Sequence, residues 1–245
     1  MDLTLNWIVY GGVGLMFLGL ILQTMQRARA RERGHEALRD LAERRGMSFD
    51  LVGKKRGARQ QVRLSDMSRG LSLTISPGRP SKKGRTDGGS TVFHMQKPDF
   101  PGGLAIYSPE LHRDLPGALS TFSGILDSDL ARRALSRFLD ADMAKGLGEL
   151  QAFPPPGGLT MSVLANVDPH PWFDPAAILR AIDAGPKGRN GEGRTLVIVN
   201  RGGLDLRDTL AVTTPEAVEA LLDRGLALQA DLMAGAERSR SVGPI

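Results

Sequence analysis

The segment Asp168-Pro169-His170-Pro171-Trp172-Phe173-Asp174 sets two carboxylates around one imidazole, the densest cluster of chemistry-bearing side chains in the chain. Carboxylates beside a histidine suit general acid–base work or metal ligation. Their neighbours argue for a plainer role. Prolines at 169, 171 and 175 hold the backbone extended, Asp174 stands where a helix cap belongs, and Trp172 with Phe173 fits an anchor on the core. Trp172 equally suits contact with a partner, since tryptophan is enriched at binding hot spots.

No other arrangement of catalytic residue types converges. The histidines, His35, His94, His112 and His170, lack HExxH and every paired metal-ligand spacing, and there is no cysteine, hence no thiolate site and no disulfide framework. Gly185 to Gly193 is rich in glycine but lacks the Lys-Ser/Thr of a phosphate-binding loop. Ser120 and Ser123 lie near Gly117 and Gly124 at the wrong spacing for a nucleophile elbow. No catalytic residue, metal or cofactor is therefore expected, and an interaction role is favoured over catalysis.

The element that positions everything else is N-terminal. From Leu3 to Gln26 there is no formal charge, and Arg27, Arg29, Arg31 and Arg33 follow at once. At about 1.5 Å per residue, roughly 18 to 20 residues between Trp7 and Met25 match the ~30 Å hydrocarbon core of a bilayer. A cleaved secretory signal wants positive charge before the apolar run, whereas here Asp2 precedes it and the arginines come after. The pattern predicts a single-pass transmembrane helix with Trp7 and Tyr10 as outer anchors, the N-terminus outside and the C-terminal domain cytoplasmic at a bacterial inner (plasma) membrane. Gly12 and Gly19 share a helix face without forming GxxxG, which leaves a homo-oligomer open.

Charge is polarised along the chain. Residues 27–97 hold 18 Lys and Arg against 7 Asp and Glu, a net of +11, and residues 98–245 hold 14 against 19, a net of −5. Juxtamembrane arginines favour anionic phospholipid. Lys54, Lys55 and Arg56, and then Lys82, Lys83 and Arg85, are candidate lipid or partner contacts together with Trp172. Nucleic acid is disfavoured, because base stacking needs interleaved aromatics and only Phe49 and Phe93 lie nearby, both in strand-like runs.

The chain divides into a tail and transmembrane helix over 1–26, a basic amphipathic helix over 27–46 that stops at Gly46, a β-rich basic subdomain over 47–116, a mixed acidic subdomain over 117–235 and a flexible tail over 236–245. Strands are predicted at Ser48 to Val52, Gln60 to Ser65, Leu71 to Ser76, Thr91 to Gln96 and Leu104 to Tyr107, where apolar and polar residues alternate. Beyond them follow a helix at Asp127 to Gly146, a strand at Leu159 to Leu164, a helix at Asp174 to Ala184, a hairpin at Thr195 to Leu206 and a last helix from Pro215 capped by Thr214. The expected fold class is α+β: one transmembrane helix, a helix laid on an antiparallel meander sheet, then alternating strands and helices. The layout resembles that of many single-span bacterial inner-membrane proteins, a likeness that implies no activity. The function expected is an interaction or scaffold module at the inner membrane, bound to the lipid bilayer and to an unidentified protein partner. The alternatives are a membrane-tethered enzyme on a membrane-associated substrate and nucleic-acid binding through the basic half.

Overall fold

The computed structural model describes residues 22–26, 29–30, 32–53, 60–80, 86–87, 89–96, 100, 103–109, 150–186, 195–200 and 202–241. Alternating sequences give the first strands: β1 (Ser48–Val52), β2 (Gln61–Asp66), β3 (Leu71–Ser76) and β6 (Ser90–Met95), with a separate two-stranded ladder of β4 (Arg79–Pro80) and β5 (Thr86–Asp87) between β3 and β6. More continuously apolar runs give β7 (Leu104–Pro109), β9 (Met161–Ala165) and β10 (Thr195–Asn200), joined by β8 (Gln151–Phe153) and β11 (Gly203–Asp208). All but β4 and β5 form one nine-stranded sheet in the order β1-β2-β3-β6-β11-β10-β7-β9-β8, every pairing antiparallel.

Among the described residues three α-helices cover one face. Helix α1 (residues 32–44) ends as the glycine in the sequence predicts. Gly46 takes φ +67°, and Met47 N–H donates to Ala42 C=O at 2.8 Å while Gly46 N–H donates to Glu43 C=O at 3.0 Å, the two bonds of a Schellman stop. Helix α2 (Pro175–Asp183) starts at Asp174, whose Oδ1 accepts from Ala176 N–H at 3.0 Å. Helix α3 (Pro215–Ser241) starts at Thr214, whose Oγ1 accepts from Ala217 N–H at 3.4 Å. Leu38, Leu41 and Ala42 of α1, Ile178 and Ile182 of α2, and Val218, Leu221, Leu222, Leu228 and Leu232 of α3 share one core with the sheet residues Leu64, Leu73, Phe93, Leu206, Val197, Tyr107 and Val163. At about 25 cal/mol per Å² of apolar surface removed from water, this layer is the main stabilising term.

Arginines tie the helices together. Arg45 donates to Glu219 Oε1 at 2.6 Å and to Asp223 Oδ1 at 2.8 Å, joining the end of α1 to α3, and Arg180 donates to Asp231 Oδ2 at 2.9 Å, joining α2 to α3. A buried link runs from sheet to helix. Asp208 is fully buried and accepts from Thr195 Oγ1 and from Arg224 of α3, both at 2.6 Å. Burial pushes the Asp208 carboxyl up, and Arg224 and Thr195 oppose it.

This architecture corrects the expected fold class. The strands beyond residue 117 do not form a separate region alternating with helices; β8 to β11 complete the sheet begun by β1, because β6 pairs along both edges, with β3 on one side and β11 on the other. Among the described residues no helix is long and apolar enough to cross a membrane. Each described helix carries charge on its outer side, as in Arg39, Asp40, Glu43 and Arg44 of α1, and only a stripe is apolar. The transmembrane helix, the membrane character and the single-pass inner-membrane placement with a cytoplasmic domain are accordingly withdrawn. Residues 1–21, with Trp7 and Tyr10, and the helix predicted at Asp127 to Gly146 lie outside the described residues.

Candidate functional site

The loop after β9 does not gather its carboxylates. Asp174 is spent on the cap of α2, and Asp168 turns back on its own loop, accepting from His170 N–H at 3.1 Å and pairing through Oδ1 with His170 Nδ1 at 2.5 Å. The backbone N–H of His170, followed by its ring, holds the Asp168 carboxyl below the ordinary range. Trp172 N–H and Phe173 N–H both donate to Pro169 C=O at 3.1 Å, which curls the loop onto the core. There Phe100 meets Trp172 edge-on at 5.9 Å between ring centroids, and Phe173 meets Phe100 at 5.2 Å and Tyr107 at 6.5 Å. Trp172 is half-buried in this aromatic group, an anchor first and a presented side chain second. Burial, and then the Asp168 charge, drives the Tyr107 hydroxyl far above its ordinary value.

A second pair, not singled out by the sequence, lies in the middle of the sheet on the face turned away from the helices. His94 of β6 stands directly opposite Ser72 of β3 on one side and Asp205 of β11 on the other. Its Nδ1 lies 2.6 Å from Asp205 Oδ1; the His94 side chain is 37% exposed and that of Asp205 6%. Arg207 reaches the other carboxylate oxygen at 3.5 Å, so the buried Asp205 is shared by an imidazole and a guanidinium. The hydrogen bond from Asp205 raises the His94 pKa, opposed by burial of the ring.

The row Ser72, His94, Asp205 has the residue types of a serine triad but not its geometry. A Cβ added at Gly203 would meet His94 Cε1 at 2.7 Å and Nε2 at 3.2 Å, so the ring lies over β11, on the side away from Ser72. The glycine opening β11 thus gives the imidazole its room. Among the described residues no hydroxyl is aligned on Nε2 and no donor converges for an oxyanion, so these residues give an oriented imidazole.

Among the described residues no group of three His, Cys, Asp or Glu could hold a metal ion. A pocket of about 40 Å³ lined by Arg45, Met47, Asp66, Arg69, Leu71, Leu222 and Leu226 lies on the helix side, away from both histidine pairs. Of the candidate contacts, Arg27, Arg31, Lys54, Lys55, Arg56, Lys82, Lys83 and Arg85 lie outside the described residues, while Arg29 and Arg33 are exposed on helical turns. His94 and Asp205 escaped sequence reading because 111 residues separate them. The available signal was local: Leu204-Asp205-Leu206 places a carboxylate between apolar residues inside a strand, where it needs a partner.

Comparison with protein-family models, with curated proteins and with solved structures finds no match for this chain.

Proposed function

We propose that the protein is an interaction module that binds another protein of acidic surface through the basic half of its sheet. The observation that carries this reading is the face of β1, β2, β3 and β6 turned away from the helices: Arg63, opposite Asp50, stands exposed there among Ser48, Ser65, Ser72, Thr74 and Ser76, an open polar surface in the half of the sequence with net charge +11. Lateral bonds order it, with Ser48 Oγ 2.7 Å from Ser65 Oγ and Gln61 Nε2 donating to Ser76 Oγ at 3.0 Å. An open face suits a protein surface better than a small substrate, which is usually enclosed in a cavity of about 300–1,000 Å³. The described strands place no Phe, Tyr or Trp on this face, and its one ring, the His94 imidazole, is held by Asp205, which disfavours base stacking. An enzymatic reading draws on the oriented imidazole of His94, yet no described group converges on its Nε2.

The test is binding of the full chain to polyglutamate and to a single-stranded oligonucleotide over a range of salt. Polyglutamate is expected to bind, and the pair Arg63→Glu with Thr74→Glu to weaken it at least tenfold. Tighter binding of the oligonucleotide, with a steep salt dependence, would replace this reading by nucleic-acid recognition.

A further inference from the structure

The sheet ends at β1, and among the described strands β1 pairs only with β2. No described strand pairs with its outer side, the condition for adding a strand. Natural edges are commonly guarded by lysine, proline or an inward charge, and Ser48-Phe49-Asp50-Leu51-Val52 has neither lysine nor proline. Its one charge, Asp50, stands opposite Arg63. Leu51 and Val52, adjacent and so on opposite faces, are each 38% exposed, which offers an incoming strand apolar contact on both sides. Cations flank the edge on both faces too: Arg63 on the open face, and Arg39 of α1 with its guanidinium carbon 5.3 Å from the centre of the Phe49 ring.

We propose that β1 is a strand-addition edge that takes an extended, acidic segment of another protein as a tenth strand of the sheet. The inference rests on the acidic-partner reading above and specifies how such a partner docks. The +11 charge of residues 27–97 selects the occupant: a second copy would bring like charge against like, whereas a segment alternating glutamate with β-branched residues sets its carboxylates on one face, against Arg39 or against Arg63, and its apolar groups on the other, against Val52 or against Leu51.

The experiment titrates the full chain with the hexapeptide Glu-Val-Glu-Val-Glu-Val, with the same peptide N-methylated at alternate residues, and with Lys-Val-Lys-Val-Lys-Val, reading hydrogen exchange at each backbone amide. The acidic peptide is expected to slow exchange within Ser48–Val52 at least tenfold, N-methylation to abolish this, and Arg39→Glu with Arg63→Glu to raise Kd at least tenfold while the chain stays folded. If the N-methylated peptide binds as well, or protection falls elsewhere, strand addition is overturned and the acidic-partner reading stands. If only the basic peptide binds, both readings fall. Protection of β1 accompanied by a dimer in sedimentation, without peptide, would assign the edge to a second copy and overturn the proposal.

Discussion

On the face turned away from the helices, β10, β7 and β9 bury Leu196, Ile198, Leu104, Ile106 and Leu164, whereas β1, β2, β3 and β6 set Ser48, Ser65, Ser72, Thr74 and Arg63 toward solvent. The pairing pattern is the same throughout, so the difference comes from what backs each half. Where both faces are buried the strands read as near-continuous apolar runs, Leu196-Val197-Ile198-Val199 and Leu104-Ala105-Ile106-Tyr107; where one face is open they alternate, as in Leu71-Ser72-Leu73-Thr74-Ile75-Ser76. Continuity of this kind, usually associated with parallel sheets, here marks two-sided burial in an antiparallel one. Between the halves lies β11, which carries a buried carboxylate answered by His94 and Arg207.

The sharpest way to break this comparison is to place the same charge on the same face of each half. Ile198→Asp buries an unpaired carboxylate and is expected to cost more than about 4 kcal/mol, enough to abolish a cooperative unfolding transition, while Thr74→Asp should stay within about 1 kcal/mol of the native chain. Equal losses in denaturant titrations would show that both halves are backed alike.

A smaller effect probes the layer under the open half. Gly225 lies in α3 where an added Cβ would come within 2.5 Å of Phe93 Cδ1 and 2.6 Å of Cζ. Alanine gains about 1 kcal/mol of helix propensity but overpacks the contact by about 1–3 kcal/mol. Gly225→Ala is expected to lose about 0–2 kcal/mol net and to recover most of any loss when Phe93→Leu is added; a stabilised single variant would mean that α3 does not press on β6 this closely.

The smallest and most diagnostic effect sits at the boundary. Asp205 raises the His94 pKa above its ordinary 6.5, so the pair contributes stability that is complete below the unfolded value and is lost as pH rises through the folded one. The stability difference between the native chain and His94→Gln should therefore be widest below the ordinary 6.5 and shrink as pH rises above it. A gap that is flat with pH, measured by urea unfolding, would reduce the pair to simple packing.

Much of the secondary structure was legible. The alternation of Leu71 to Ser76, the stop at Gly46, Asp174 before Pro175 and Thr214 before Pro215 each carry a local physical cause, and the elements fall where those causes put them. The assembly was not legible in the same way. A strand such as Leu104 to Pro109 fixes its own pleat but not its neighbours, and its pairing with β9 and β10 is decided by packing between residues far apart in sequence. The Asp168 to Asp174 loop was read correctly at Asp174, since a cap is local. His94 was missed because only tertiary structure brings Asp205 to it. The charge-free run before Arg27 was weighed by length, flanking charge and the placement of Trp7 and Tyr10, whereas among the described residues no helix is long and apolar enough to cross a membrane.

The pairing of β6 with β11 has a consequence for biosynthesis. On the ribosome, the N-terminal strands emerge long before Gly203–Asp208 and α3, so through most of translation β6 lacks its inner neighbour and Phe93 its helix. Closing the middle of the molecule is a late, long-range event, slow by nature and exposed to misassembly until release. The basic half is thus a surface finished only after α3 has left the exit tunnel.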